Sequence, residues 1–252
     1  LDRVVTLYSN VLGDYNATEV NNNIKKVVQG FETSKGMSIS FTGEQEEQAE
    51  EFAFLSKALL VAVLLIFLIM VAQFNSVTTP IIISISVLLS LIGVLLGLLL
   101  FRMDFVILMT MIGVISLAGI VVNNAIVLID YINLIMIRKR REHEMPVDTI
   151  LSKQQLLESV VEGGKTRLRP VLLTAITTIL GLLPLALGIN INFRTLLTEF
   201  NPNFYIGGEN VAFWGPMGWT IVFGLSFATF LTLIVVPILF YITANFKRKY
   251  VT

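Results

Sequence analysis

Charged residues are absent from long blocks of this chain. None occurs between Ala58 and Phe101. A membrane-spanning helix needs about 20 mostly apolar residues, so this block is long enough for two. The polar stretch QFNSVTTP (73–80) divides it and ends in a proline, which suits the first turn of a helix. The pattern therefore predicts spans near 56–73 and 80–101.

Three further apolar blocks follow at 105–135, 169–188 and 213–246, and the last is long enough to project beyond the lipid. The composition agrees, because 55% of the residues are hydrophobic, 14% are charged and the mean hydropathy is +0.79. We predict a mainly α membrane protein with five transmembrane helices in residues 46–252.

Residues 1–45 follow a different pattern. RVVTLYSNV (3–11) and MSISFT (37–42) are typical of strands. Apolar residues between them recur at helical spacing, namely Ala17, Val20, Ile24, Val27, Val28 and Phe31. We predict a small α+β strand–helix–strand piece. Because so short a piece cannot bury a core alone, we expect it to complete a larger subdomain.

Positive charge predicts the orientation of the spans. The 138–169 connection carries eight basic residues, which are Arg138, Lys139, Arg140, Arg141, Lys153, Lys165, Arg167 and Arg169. Lys247, Arg248 and Lys249 lie at the C-terminus, whereas the 102–104 turn and the 189–212 loop hold one arginine each. The connection and the C-terminus are therefore predicted to be cytoplasmic, and the N-terminal segment lies on the opposite side. The amphipathic 138–165 stretch is interpreted as a helix along the membrane surface or as a solvated linker helix.

Several classes of function are disfavoured. The formal net charge is zero, so we expect no nucleic-acid partner. The chain has no cysteine and one histidine, His143, in a charge-dense loop. We find no phosphate-binding loop, no clustered metal ligands and no nucleophile–base pair. The sequence thus predicts no enzyme, no cofactor and no metal site.

The stretch GIVVNNAIVLIDYIN (119–133) places polar residues inside an apolar span. At about 100° per residue, Asn123 and Asp130 share one face with Gly119, and Asn124 is turned away. A small residue such as Gly119 allows a second helix to approach, so this face is predicted to meet protein. Alternatively, the asparagines form an interhelical hydrogen bond worth about 0.6 kcal/mol, and Asp130 is hydrated or paired with an arginine.

The fourth span carries a matching set. Arg167, Thr174, Thr178 and Gly181 follow one another at i+7, i+4 and i+3, which predicts one shared face. Each threonine has a structural alternative, because its hydroxyl can bond the i−4 carbonyl. GVLLG (93–97) in the second span is a GxxxG pattern, for which we predict close helix packing.

The order of these segments resembles a known family. FTGEQEEQAEEF, GIVVNNAIVLIDYIN, a basic linker and RLRPVLLT succeed one another as in the C-terminal end of a resistance–nodulation–cell division (RND) efflux permease of the hydrophobe/amphiphile branch. The resemblance implies a homotrimer of twelve-span protomers in the bacterial inner membrane, with a periplasmic adaptor and an outer-membrane channel as partners. Residues 1–45 would end a periplasmic, ferredoxin-like porter subdomain, and the five spans would be the eighth to twelfth.

The same resemblance implies export of amphiphiles, drugs or metals in exchange for protons. It places Asn123 at the relay position of the tenth span, and Arg167 and Thr174 at the relay arginine and threonine of the eleventh. Asn124, Thr178 and Asp130 complete the candidate set. Drug pumps carry a lysine where this chain has Asn123, and an asparagine holds no positive charge. Two other interpretations stay open: a membrane structural or assembly partner, and an exporter of lipids or proteins.

The predicted orientation can be tested by labelling. Because the chain has no cysteine, single cysteines at His143 and Asn201 report cleanly, and we expect an impermeant maleimide to reach them from opposite sides of the membrane. Labelling of both positions from the same side would contradict the five-span topology.

Overall fold

The computed structural model describes residues 4–7, 9, 17–30, 39–146 and 151–251. Its elements are, in order, α1 (Ala17–Gln29), α2 (Glu44–Phe74), α3 (Thr78–Leu100), α4 (Ile107–Glu142), α5 (Lys153–Leu187), β1 (Ile189–Asn190), α6 (Phe193–Glu199), β2 (Tyr205–Ile206) and α7 (Glu209–Val251). The chain divides into two compact units, Leu1–Glu50 and Glu51–Thr252.

The five predicted spans are confirmed as helices. In the described part of the chain, α2, α3, α4, α5 and α7 are long and apolar enough to cross a membrane. The longest, α7, has 43 residues. At 1.5 Å per residue it measures about 64 Å, roughly twice the thickness of the hydrocarbon core. It therefore projects beyond the lipid, as the sequence predicts.

The helix predicted for the N-terminal unit is present as α1. Lys25 of α1 pairs with Glu46, and its ammonium lies 5.4 Å from the ring centroid of Phe41. Of the two strand predictions, residues 4–7, 9 and 39–42 are described and none lies in a strand; the remainder falls outside the described residues. The strand–helix–strand piece therefore stays a prediction, since a strand persists only when a partner pairs with its backbone.

In the second unit, α7 packs against α3, α4 and α5. Its contact with α3 depends on two glycines. A Cβ atom added to Gly93 would lie 2.3 Å from Cβ of Phe227, and one added to Gly97 would lie 2.3 Å from Cγ of Phe223. The aromatic rings therefore occupy the space that larger side chains on α3 would fill. The predicted close packing at GVLLG is confirmed.

Two glycines of α7 allow close contact with α4 and with α5. A Cβ on Gly224 would meet the Leu117 side chain of α4 at 2.1 Å, and one on Gly218 would meet Ala186 of α5 at 3.2 Å. Lipid tails are as apolar as leucine, so helix association in a membrane depends on such close van der Waals contact.

The predicted surface helix in the 138–165 connection is not a separate element. Residues 153–165 are the first turns of α5, which continues without interruption to Leu187. This helix starts at a capping box, in which the Gln155 amide N–H donates to Ser152 Oγ at 3.2 Å and the Ser152 amide N–H donates to Gln155 Oε1 at 3.0 Å.

Packing against α4 explains why this stretch is amphipathic. Leu156 and Val160 are buried, and a Cβ on Gly163 would meet the Ile132 side chain at 2.6 Å. Leu156 and Val160, which belong to the apolar face that suggested a lipid surface, are covered by protein, whereas Leu157 is 47% exposed. Residues 147–150 of the predicted stretch lie outside the described residues.

The α3–α7 contact can be tested by overpacking. We expect Gly97→Leu to destabilise the protein by about 1–3 kcal/mol, because the new side chain needs the space of the Phe223 ring. The measurement is the thermal unfolding midpoint in detergent. Gly181→Leu is the matched control, since a Cβ at Gly181 meets no atom within 4 Å in the described residues. Adding Phe223→Ala should restore part of the loss, and equal midpoints for both leucine variants would contradict the packing.

Candidate functional site

An open groove of about 570 Å³ lies between α4 and α5. Its lining combines hydroxyls and amides with one glycine and one isoleucine: Ser116, Gly119, Ile120, Asn123, Asn124, Thr174 and Thr178. The groove thus brings together four of the six predicted site residues, namely both asparagines and both threonines.

The α4 side of the groove follows from helical periodicity. Ser116 and Asn123 are seven residues apart and Gly119 lies between them, so the three share a face. A Cβ added to Gly119 meets nothing within 4 Å in the described residues, so this face is open here. Asn123 is exposed, whereas Asn124 is only 7% exposed. Asn124 was predicted to turn away, yet it lines the groove as well, because α5 lies on its side of α4.

The threonines use their hydroxyl hydrogens within α5. Thr174 Oγ1 donates to the Val171 carbonyl at 2.9 Å, and Thr178 Oγ1 donates to the Thr174 carbonyl at 2.8 Å. Both bonds are of the structural kind given above as the alternative to a functional role, in which a threonine hydroxyl bonds a carbonyl of its own helix. Their oxygens keep lone pairs, so in the groove both hydroxyls can act as acceptors.

The asparagines differ from the threonines in this respect. Among the described residues we find no hydrogen-bond partner for the side-chain amide of Asn123 or Asn124. Each amide carries two N–H donors and a carbonyl acceptor. Leaving such a group unsatisfied in an apolar environment costs about 1–3 kcal/mol. The two amides therefore remain available to a polar group that enters the groove.

Arg167 lies outside the groove and contacts Tyr131. Its guanidinium carbon is 4.3 Å from the centroid of the Tyr131 ring. The Nε atom is buried and has no hydrogen-bond partner among the described residues. Asp130 is exposed and forms no ion pair in the described structure. The arginine is thus held by an aromatic face and retains donors for another group.

The polar residues form two levels along the helices. The groove level holds Asn123 of α4 and Thr174 of α5, and the second holds Tyr131 and Arg167. Arg167 precedes Thr174 by seven residues, which corresponds to about 10 Å along the helix axis. This separation along the axis does not test the shared face predicted for Arg167 and Thr174, which stays a prediction.

Two polar residues of the site were not predicted. Ser116 lies one heptad before Asn123, and Tyr131 lies one heptad after Asn124. Extending the heptad spacing in both directions would have found each of them. Their roles depend on the neighbouring helix, which the spacing does not identify.

Comparison with known proteins shows the family to which this chain belongs. The sequence model described as the AcrB/AcrD/AcrF family matches residues 1–192. The chain belongs to this family. The RND assignment made from the sequence is therefore confirmed.

Relatives of this RND segment carry different names. The chain is 35% identical to the swarming motility protein SwrC of Bacillus subtilis over 246 residues, a match that covers 96% of this chain and 20% of that protein. It is 25% identical to the multidrug resistance protein MdtC of Proteus mirabilis, over 99% of this chain and 21% of that protein. The chain thus spans about one fifth of the length of these relatives.

A solved structure resembles the segment as well. The crystal structure of a heavy metal efflux pump superposes with a TM-score of 0.63 and 26% sequence identity, covering 90% of this chain and 19% of that chain. The helical arrangement is therefore one that a solved efflux pump shares.

The Arg167–Tyr131 contact can be measured by a double-mutant cycle. We expect Tyr131→Leu and Arg167→Gln to couple by about 0.5–2 kcal/mol in thermal unfolding of the complete protein, because an arginine over an aromatic face contributes energy in this range. Tyr131→Phe is the control, since it keeps the ring and should keep most of the stability. Equal losses for the leucine and phenylalanine variants would show that the ring face is not the interacting group.

Proposed function

We propose that this chain is the C-terminal transmembrane part of an RND permease that exports amphiphilic compounds or drugs in exchange for protons. The permease is a homotrimer in the bacterial inner membrane and works with a periplasmic adaptor and an outer-membrane channel. The N-terminal segment is periplasmic and the C-terminus cytoplasmic. The observation that carries the proposal is the open polar groove of α4 and α5, with two asparagine amides that have no partner among the described residues.

The partner that we propose for the groove is a carboxylate on a helix outside this chain. Polar residues at membrane depth that face a bundle interior often mark ion pathways. Asn123 donates its amide hydrogens to the ionised carboxylate and loses this bond when the carboxylate is protonated. The Thr174 hydroxyl, whose hydrogen already bonds the Val171 carbonyl, accepts from a water that carries the proton.

Arg167 supplies the positive charge that Asn123 does not have. At about 10 Å and an effective dielectric constant of about 20, one unit charge acts on another with roughly 1.7 kcal/mol. This is enough to favour the ionised carboxylate without a direct ion pair. Tyr131 holds the guanidinium at this level by its ring face.

The names of the relatives support export and differ in what is exported. MdtC is named for multidrug resistance, and CzcA of Cupriavidus metallidurans, 28% identical over 71% of this chain, is named for cobalt-zinc-cadmium resistance. Expression of the complete permease in efflux-deficient cells separates the two substrate classes. We expect lower accumulation of a cationic amphiphilic dye and unchanged tolerance to cobalt and zinc; the reverse result would contradict the substrate proposal.

The relay proposal predicts loss of coupling without loss of folding. In the complete permease, we expect Asn123→Leu to reach the membrane at a normal level and to lose roughly tenfold or more of its proton-linked efflux, because a hydrogen bond to a charged group contributes about 1.5–3 kcal/mol. Thr174→Val and Arg167→Ala should impair efflux in the same assay.

Thr177→Val is the matched control for these variants. Its hydroxyl bonds the Leu173 carbonyl of its own helix at 2.9 Å, and it does not line the groove. Its efflux should stay normal. Normal efflux in Asn123→Leu, Thr174→Val and Arg167→Ala at normal expression would leave only a packing role for these residues.

A further inference from the structure

The segment between α5 and α7 is a folded element with its own hydrogen bonds. Ile189 pairs with Ile206 and Asn190 with Tyr205 in an antiparallel β1–β2 ladder. The Asn190 side-chain amide donates to the Gly188 carbonyl at 2.9 Å and to the Gly207 carbonyl at 2.8 Å. These bonds join the two ends of the segment, next to the end of α5 and the start of α7.

The short helix α6 forms the tip of this segment. Asn192 caps its start, with Oδ1 accepting from the Arg194 and Thr195 amides at 3.1 and 3.3 Å. The Asn192 amide in turn donates to the Pro202 carbonyl at 3.0 Å, which joins the two ends of the tip. The orientation of α6 is therefore determined by the fold of the segment.

Two large apolar side chains at the end of α6 are uncovered, and together they form its apolar face. Leu197, in the last turn, is 80% exposed, and Phe200, the residue that follows the helix, is 90% exposed. Arg194 and Thr198 are exposed on the adjacent face, about 60° and about 100° around the helix from Leu197. Exposed apolar surface next to a polar face marks a site of interaction with a membrane or a protein.

Its position next to two membrane spans favours the membrane. α5 ends at Leu187 and α7 begins at Glu209, so both chain connections keep α6 close to the helix ends. Phe213 and Trp214 are exposed on the first turns of α7 and make an edge-to-face contact at 5.0 Å. Aromatic side chains at the ends of spans are typical of the membrane–water interface, and the apolar face of α6 continues this zone.

We propose that α6 lies in the membrane surface at this end of the bundle, with Leu197 and Phe200 at the boundary between headgroups and acyl chains. Arg194 and Thr198 face water and the headgroups. The segment then anchors the connection between the last two spans to the lipid and limits their movement relative to the bilayer. This role is separate from the relay at α4 and α5.

Fluorescence quenching in nanodiscs tests the proposal. The complete protein is labelled with an environment-sensitive fluorophore at Leu197→Cys, Phe200→Cys or Thr198→Cys, after replacement of any cysteine outside this chain. The nanodiscs contain phosphatidylethanolamine, phosphatidylglycerol and a phospholipid with a nitroxide near the headgroup end of its acyl chain. We expect the nitroxide to quench the labels at 197 and 200 several-fold more strongly than the label at 198.

Aqueous iodide serves as the second quencher and should act most strongly at 198, the matched position on the polar face. Two results would overturn the proposal. Strong iodide quenching at 197 and 200 would place the apolar face in water. Protection of both positions from iodide and from the nitroxide would mean that another part of the permease covers α6. The two apolar positions are independent, so failure of one variant to fold leaves the test intact.

Discussion

Close contact between small and large side chains holds the helices around α7, and the rest of the bundle depends on it. Phe223 and Phe227 lie where Gly93 and Gly97 leave space on α3. In lipid the hydrophobic effect adds little to helix association, so van der Waals contact and hydrogen bonds must stabilise the bundle. With α7 placed between its neighbours, α4 and α5 meet along one side and form the groove.

Hydroxyl and amide side chains in the spans differ in where they find hydrogen-bond partners. Many serines and threonines in the spans bond carbonyls of their own helix, as Ser90 does with Val87 and Thr229 with Leu225. They therefore place no demand on a neighbouring helix. The amides of Asn123 and Asn124 find no such partner among the described residues. The asparagine amide hydrogens, unlike the threonine hydroxyl hydrogens, are therefore available to a partner in the groove.

The contact between Arg167 and Tyr131 places a charged side chain of α5 on an aromatic face of α4. Asn123 carries no charge, and Arg167 lies one heptad away from Thr174 on α5. A guanidinium keeps its charge in a protein interior and stacks on aromatic faces. The ring of Tyr131 therefore holds the guanidinium without neutralising its charge.

Helical period and segment length are local properties, so the sequence alone determined the five spans, the GxxxG contact and the face shared by Gly119 and Asn123. Longer-range contacts were decided only by the tertiary structure. Residues 153–165 join α5 because α4 covers their apolar face, Asn124 reaches the groove because α5 lies beside it, and Arg167 contacts Tyr131. The predicted strands near the N-terminus need backbone partners. Each of these outcomes depends on which helix or strand packs alongside, and periodicity within one segment does not contain that information.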